Sequence, residues 1–265
     1  AASDVYKRQI TDIATICPSN TGFGDPEIAA GPTLLYFTAS TSATGVEVWR
    51  SDGTAAGTFL LKDIRPGSEG SQPRSFAVNP QNELFFSAND GSNGQELWIS
   101  NGSTPSTQLL NNINPSGSSD PSELKLWNGN LYFRAYDGTQ VELWRTNGFA
   151  SNTAILRDLT PAGVSSYPNF LTVTSAGLFF SATDASHSRA LFKTDGTSAG
   201  TVFIKDFSGT GRELSMLAAF GAAAFPSGLS FCVVTVLCMA VVLLTRATCA
   251  ECRGCLLYTS DAADE

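Results

Sequence analysis

The stretch Val46-Glu-Val-Trp-Arg-Ser-Asp-Gly-Thr-Ala-Ala-Gly-Thr-Phe-Leu-Leu-Lys-Asp-Ile64 recurs three more times along the chain. It returns as QELWISNGSTPSTQLLNNI from Gln95, as VELWRTNGFASNTAILRDL from Val141 and as RALFKTDGTSAGTVFIKDF from Arg189. The aromatic residue of each copy, Trp49, Trp98, Trp144 and Phe192, follows the last at spacings of 49, 46 and 48. A period near 48 marks a repeat architecture, close to kelch repeats and slightly above the WD40 range.

Working outward from that stretch, each unit shows four marks in fixed order. A proline preceded by a turn residue stands at Pro26, Pro73, Pro121 and Pro168, and an apolar triplet follows at Leu35-Tyr36-Phe37, Leu84-Phe85-Phe86, Leu131-Tyr132-Phe133 and Leu178-Phe179-Phe180. The Trp or Phe comes next, and the unit closes on Asp63, Asn112, Asp158 and Asp206. Ile10-Thr11-Asp12-Ile13 reads as the tail of a preceding unit. In the second unit SFAVNP, ELFFSAN, QELWIS and TQLLNNI are strand-sized runs rich in aromatic and aliphatic residues. Asp52-Gly53, Asn101-Gly102, Asn147-Gly148 and Asp195-Gly196 mark tight turns, in which Gly supplies positive φ while Asp or Asn tolerates that region and bonds its own backbone. Four antiparallel strands per 48-residue unit predict an all-β, β-propeller-like array that is incomplete, with repeats over about 26–72, 73–120, 121–167 and 168–212. A superhelical β-solenoid is the competing architecture. Trp49, Trp98, Trp144 and Phe192 are expected to pack between blades, because a single four-stranded sheet cannot bury both of its faces alone. The competing role for an exposed tryptophan is sugar stacking.

These motifs resemble the bacterial ELWxxDGT repeat family. The match covers about Ile10 to Arg212; the second and third copies have Asn101 and Asn147 in place of the turn Asp, and the fourth has Phe192 in place of Trp. The resemblance implies tandem arrays in large secreted or envelope-attached bacterial proteins, and no settled enzymatic activity.

Both ends read as foreign to the repeat. Ala1 to Gln9 can be written GCA GCG TCA GAT GTG TAT AAG AGA CAG, and the reverse complement of that string, one base out of frame, translates as Cys255 to Ala262. It resembles the mosaic-end adapter of transposase-based sequencing libraries, so residues 1–9 and 255–265 are set aside from fold reasoning. That leaves 14 basic against 20 acidic side chains, a balance that argues against nucleic acid as a partner. Charged residues are only 15% of the chain, as suits short strands joined by turns. Up to Arg212 Cys17 is the sole cysteine, so no disulfide framework supports the repeats.

After Arg212 the pattern fails. Leu229–Thr245 is an uncharged run of 17 residues followed by Arg246 and Arg253, coherent with a transmembrane anchor below an outside propeller. A reading-frame error across 213–254 is the other explanation, since a new unit has just begun at RELSMLAAFGAAAF and cysteines then appear at 232, 238, 249 and 252. A buried apolar segment is the third. Cys249, Cys252 and Cys255 have zinc-like spacing, but Cys255 lies in the adapter-like end.

For sites, Asp63, Asp158 and Asp206, with Asp12 and Asn112 in the same series, would share one rim and could gather calcium; the alternative is that each caps the turn after it. Ser51-Asp52-Gly53-Thr54 resembles the Asp-box turn of sialidase-type propellers, but there the tryptophan follows the turn and here it precedes it. His187, the single histidine, sits in a Ser-His-Ser loop with no nucleophile motif upstream, so no catalytic residue and no cofactor is assigned. The expectation is a non-catalytic scaffold, extracellular or in the cell envelope, binding protein or glycan through its loops and stacking on further repeats of its own chain. A propeller-type hydrolase fragment and a membrane-anchored ectodomain, the latter requiring 229–245 to be genuine, are the alternatives.

Overall fold

Among the described residues sixteen strands form in chain order, four to each repeat. The computed structural model describes residues 27–160 and 163–207. The adapter-like ends, Asp12, Pro26, the 213–254 tail and the 229–245 segment lie outside the described residues. Blade 1 comprises β1 (Ile28–Ala30), β2 (Leu35–Thr41), β3 (Gly45–Ser51) and β4 (Phe59–Leu60). Blade 2 comprises β5 (Arg74–Val78), β6 (Leu84–Asn89), β7 (Gln95–Ser100) and β8 (Gln108–Asn111). Blade 3 comprises β9 (Ser122–Trp127), β10 (Asn130–Tyr136), β11 (Val141–Thr146) and β12 (Ala154–Ile155). Blade 4 comprises β13 (Asn169–Thr174), β14 (Gly177–Ala182), β15 (Ala190–Thr194) and β16 (Val202–Asp206).

Each blade is a separate antiparallel meander whose strands pair in sequence order. The first strands β1, β5, β9 and β13 neighbour one another in succession, so they are the inner strands of a β-propeller that is incomplete and not closed. Among the described residues no helix is long and apolar enough to cross a membrane.

Strand alternation gives each sheet two apolar faces, and successive blades bury them against each other. Tyr36, Val48, Leu61 and Ile64 of blade 1 share a core with Leu84, Phe86, Ala88 and Trp98 of blade 2. Phe85, Leu97, Ile99, Leu110 and Ile113 of blade 2 meet Leu131, Phe133 and Ala135 of blade 3, with Trp144 packed alongside. Tyr132, Leu143 and Leu156 of blade 3 meet Leu171, Leu178, Phe180 and Phe192 of blade 4. The repeat aromatic therefore faces the preceding blade, and the middle residue of the triplet faces the following one. Trp98 Nε1 donates to Ala88 O at 3.1 Å.

The Asp-Gly and Asn-Gly turns form a repeated hydrogen-bond unit. Asp52 Oδ1 accepts from Thr54 N and Oγ1 at 2.9 and 2.7 Å, Asn101 Oδ1 from Ser103 N, Asn147 Oδ1 from Phe149 N, and Asp195 Oδ1 from Thr197 N and Oγ1. Only the glycines Gly53, Gly102, Gly148 and Gly196 take positive φ; the Asp and Asn use their second ability, as acceptors, and leave the left-handed region to glycine. A hydroxyl pair then closes the strand ends: Ser51 with Thr58, Ser100 with Thr107, Thr146 with Thr153 and Thr194 with Thr201. The second glycine of the fuller motif has a steric cause, since a Cβ at Gly57 would run into the Asp52 carboxylate.

These turns also dock on the blade before. Arg50 Nη1 donates to Gly102 O at 3.0 Å and Arg145 Nη1 to Gly196 O at 2.8 Å. Farther out, Lys62 Nζ donates to Thr107 O at 2.8 Å and Arg157 Nη1 to Thr201 O.

Candidate functional site at the blade-entry rim

The chain passes from the outer strand of one blade to the inner strand of the next through the connectors 65–73, 114–121 and 159–168, each ending in Ser-x-Pro. What holds each connector is the glutamate of the preceding blade's Glu-x-Trp segment. Glu47 accepts from Arg65 N at 3.1 Å, Ser71 N at 2.9 Å and Ser71 Oγ at 2.5 Å. Glu96 accepts from Ile113 N, Asn114 N, Ser119 N and Ser119 Oγ, and Glu142 from Ser166 N and Ser166 Oγ. All three carboxylates and all three serines are buried. Burial pushes each glutamate above its ordinary range, and the donated hydrogen bonds from serine and backbone pull part of the way back. The serine carbonyls point onward, accepting from Asn89 N and Tyr136 N at the ends of the next blade's second strand and from Thr183 N just past the end of β14. Ser71, Ser119 and Ser166 thus tie two blades together through one residue.

Between that fixed serine and the φ-locked proline, the middle residue has little freedom. Gln72, Asp120 and Tyr167 all take positive φ, at 51°, 48° and 47°. Three residues later Ser75, Glu123 and Phe170 do so again at 59°, 57° and 58°. Each second position lies at a bulge where the inner strand slips register, between Arg74 and Ala77, between Ser122 and Lys125, and between Asn169 and Thr172. Non-glycine residues in the left-handed region cost about 1–3 kcal/mol each and concentrate at sites where geometry serves a task. Here the same two strained positions recur in three consecutive blade entries.

The side chains held there differ from blade to blade although the frame does not. Arg74 Nη2 pairs with Asp120 Oδ1 of the neighbouring entry at 2.7 Å. Arg134 Nη1 donates to Asn169 Oδ1 at 2.7 Å and its guanidinium lies 5.8 Å from the Tyr167 ring centroid. Arg74, Asp120 and Tyr167 are exposed. The inner strands lock together beneath them, with Ser75 N donating to Glu27 Oε1 and Leu171 N to Glu123 Oε2. The rim therefore offers a guanidinium, a carboxylate, an amide and an aromatic face on a rigid base, which suits recognition by hydrogen bonding and stacking.

The other residues singled out from sequence fall elsewhere. Asp158 Oδ1 accepts from Thr160 N at 3.1 Å and so caps its turn. Asp63, Asp158 and Asp206 belong to blades 1, 3 and 4, and among the described residues no group of three or more His, Cys, Asp or Glu comes together as a cation would need. Asn112 donates to Asn93 Oδ1. His187 Nδ1 sits 3.0 Å from Asp184 Oδ1, and its ring stacks on Phe203 at 4.2 Å. The rim residues themselves escape a reading of single motifs. The signal available was the recurrence, 23 or 24 residues after each Glu47, Glu96 and Glu142, of a serine two residues before proline.

The chain matches no protein-family model and no curated protein sequence. Among solved structures it is similar to the acylaminoacyl peptidase of Pyrococcus horikoshii, at 11% identity and a TM-score of 0.46 over 70% of this chain and 28% of that one. It is similar also to the β-propeller domain of the Trilobed protease from Pyrococcus furiosus, at 13% identity and 0.44 over 72% and 56%, and to TolB from Acinetobacter baumannii, at 12% and 0.44 over 68% and 42%. The chain thus spans between about a quarter and three-fifths of those proteins.

Proposed function

We propose that the chain is a non-catalytic repeat scaffold of a secreted or cell-surface bacterial protein, binding a protein or glycan through the blade-entry rim. One observation carries this reading: a constant Glu-to-Ser-x-Pro lock presents a different side chain, Gln72, Asp120 or Tyr167, in the same strained conformation at each entry. A frame that repeats while its displayed residues vary separates stability from recognition, with function carried on loops held by a rigid scaffold. The resemblance to the ELWxxDGT family supports the extracellular or envelope location. An exposed tyrosine ring beside Arg134 supplies the stacking element that sugars and peptides both use.

The test is to probe the 265-residue chain on a bacterial glycan array and on a peptide array, beside a triple variant carrying Gln72→Ala, Asp120→Ala and Tyr167→Ala. The expected result is features bound by the parent and lost by the variant at unchanged thermal stability. Equal binding by both would remove the rim as the recognition surface.

A further inference from the structure

Arg134 departs from the repeat at a place where the frame does not require a charge. The residue that follows each apolar triplet is Thr38, Ser87, Arg134 or Ser181. Ser87, Arg134 and Ser181 pair in register with Arg74, Ser122 and Asn169, the first residues of their own inner strands. Thr38 N likewise donates to Glu27 O, just before β1. Three of the four are small hydroxyl residues and buried. Thr38 Oγ1 accepts from Glu27 N at 3.0 Å and Ser181 Oγ donates to Asn169 O at 3.4 Å, so both stay within their own blade. Arg134 instead carries a guanidinium through this position, half-buried, to the rim between two blade entries.

That charge has no acid to answer it. Arg50, Arg65 and Arg74 pair with Asp52, Glu69 and Asp120, whereas among the described residues no carboxylate stands at ion-pair distance from Arg134. Asp120, the acid displayed on the same rim, is already held by Arg74 at 2.7 Å. Arg134 Nη1 meets only the neutral Asn169 Oδ1, and Asn169 Nδ2 donates to Tyr167 O at 3.1 Å, which keeps the amide oxygen toward the guanidinium. A guanidinium presents five N–H donors in a planar fork that matches a carboxylate. Beside it the Tyr167 ring, 53% exposed, offers a flat face on backbone fixed at φ 47°. We infer that Arg134 and Tyr167 form a subsite for a hexuronic acid residue of a glycan, an inference that rests on the rim being the recognition surface. The sugar carboxylate takes the open side of the Arg134 fork, and the sugar ring lies over Tyr167. An extended peptide is held by main-chain pairing along a sheet edge, and the left-handed Phe170 and its bulge interrupt the β13 edge at this point. A ring on Tyr167 needs no such edge.

Titration calorimetry of the 265-residue chain with oligogalacturonate, oligoglucuronate and oligomannuronate, each beside its methyl ester, tests this. The expected outcome is binding of at least one acid form, with its ester weaker by about tenfold or more, the worth of a charged hydrogen bond. Arg134→Ser installs the residue that blades 2 and 4 carry at this place, so it should melt close to the parent and show the same loss toward the acid form. Tyr167→Phe should bind as the parent does, and Tyr167→Ala more weakly. No acid form bound, or acid and ester bound alike, overturns the uronate subsite, as does an Arg134→Ser chain that binds undiminished. Arg134-dependent capture of acidic peptides with no uronate bound gives the cation to a protein partner and overturns it too. The glycan array separates this subsite from the broader reading. Features lost in the Gln72, Asp120 and Tyr167 triple variant but kept in Arg134→Ser overturn the subsite and leave the rim as the recognition surface, whereas features kept in both variants remove the rim itself.

Discussion

Glu96 accepts both the backbone N–H and the hydroxyl of Ser119, at 3.0 and 2.5 Å, in a fully buried setting and across 23 residues of chain. Two further N–H groups, of Ile113 and Asn114, converge on the same carboxylate. In Glu96→Gln the amide nitrogen must face donors, leaving at least one of them unsatisfied in the interior. An unsatisfied buried group costs about 1–3 kcal/mol, so urea denaturation should show a loss of that order or somewhat more. A change below about 0.5 kcal/mol, the range of ordinary surface substitutions, would deny the lock its structural role.

The same carboxylates fix a sign for pH dependence. Burial, opposed in part by the donated hydrogen bonds, raises Glu47, Glu96 and Glu142 above their unfolded values. A raised value means stability that is complete below the unfolded value, about 4.3, and lost as pH rises through the folded one. Asp52 and Asp195 shift the other way, held low by hydrogen bonds from Thr54 and Thr197, so their contribution is present above their unfolded value and lost as pH falls through the folded one. Carboxyl carbon-13 NMR should show Glu47, Glu96 and Glu142 titrating above the ordinary range, and Asp52 and Asp195, like the loop carboxylates Asp90 and Asp184, below it. Glutamates titrating at ordinary values would contradict the dry environment of the lock.

The blades were legible in sequence because their cause is local. The Trp49, Trp98, Trp144 and Phe192 spacing, the apolar triplets and the Asp-Gly or Asn-Gly turns each follow from strand alternation and turn chemistry, and all three recur in phase. The lock was not legible from any one unit. In Val46-Glu47-Val48-Trp49 the glutamate reads as the polar partner of an alternating strand, and its burial depends on a serine 24 residues away. Left-handed backbone at Gln72, Asp120 and Tyr167 is imposed from both sides, by the tethered serine and the following proline, and residue type gives no sign of it. The fourth copy marks the limit, since Ala190 stands where the other three have glutamate.

A second interface contact distinguishes polar from apolar docking. Arg145 Nη1 bonds Gly196 O at 2.8 Å, whereas Ile99 fills the corresponding place in blade 2 and packs toward Gly148. Arg145→Ile should keep part of the contact and lose about 1 kcal/mol, the net worth of one hydrogen bond. Arg145→Ala gives up the packing of the side-chain stem as well and should lose more. Equal losses in the two variants, measured by chemical denaturation, would show that the stem contributes nothing to the interface.

The close approach of turn to blade gives the sharpest steric prediction. Gly102 has φ +88°, and a Cβ built on it would lie 2.6 Å from Leu34 Cδ1 and 2.8 Å from Tyr36 Oη of the preceding blade. Tyr36 cannot retreat easily, because it is buried and its hydroxyl donates to Asn82 O at 2.6 Å; burial pushes its phenol up to about 12. Gly67 is the control, with φ +110° and open space around the Cβ position. Gly67→Ala carries backbone strain alone, about 1–2 kcal/mol for an L-residue in the left-handed region. Gly102→Ala carries that strain and must also push two blades apart, which adds about 1–3 kcal/mol of overpacking. The thermal midpoint of Gly102→Ala should therefore fall clearly below that of Gly67→Ala. Matching midpoints would mean that the turn yields at no cost and that the blades are not held at the Gly102 contact.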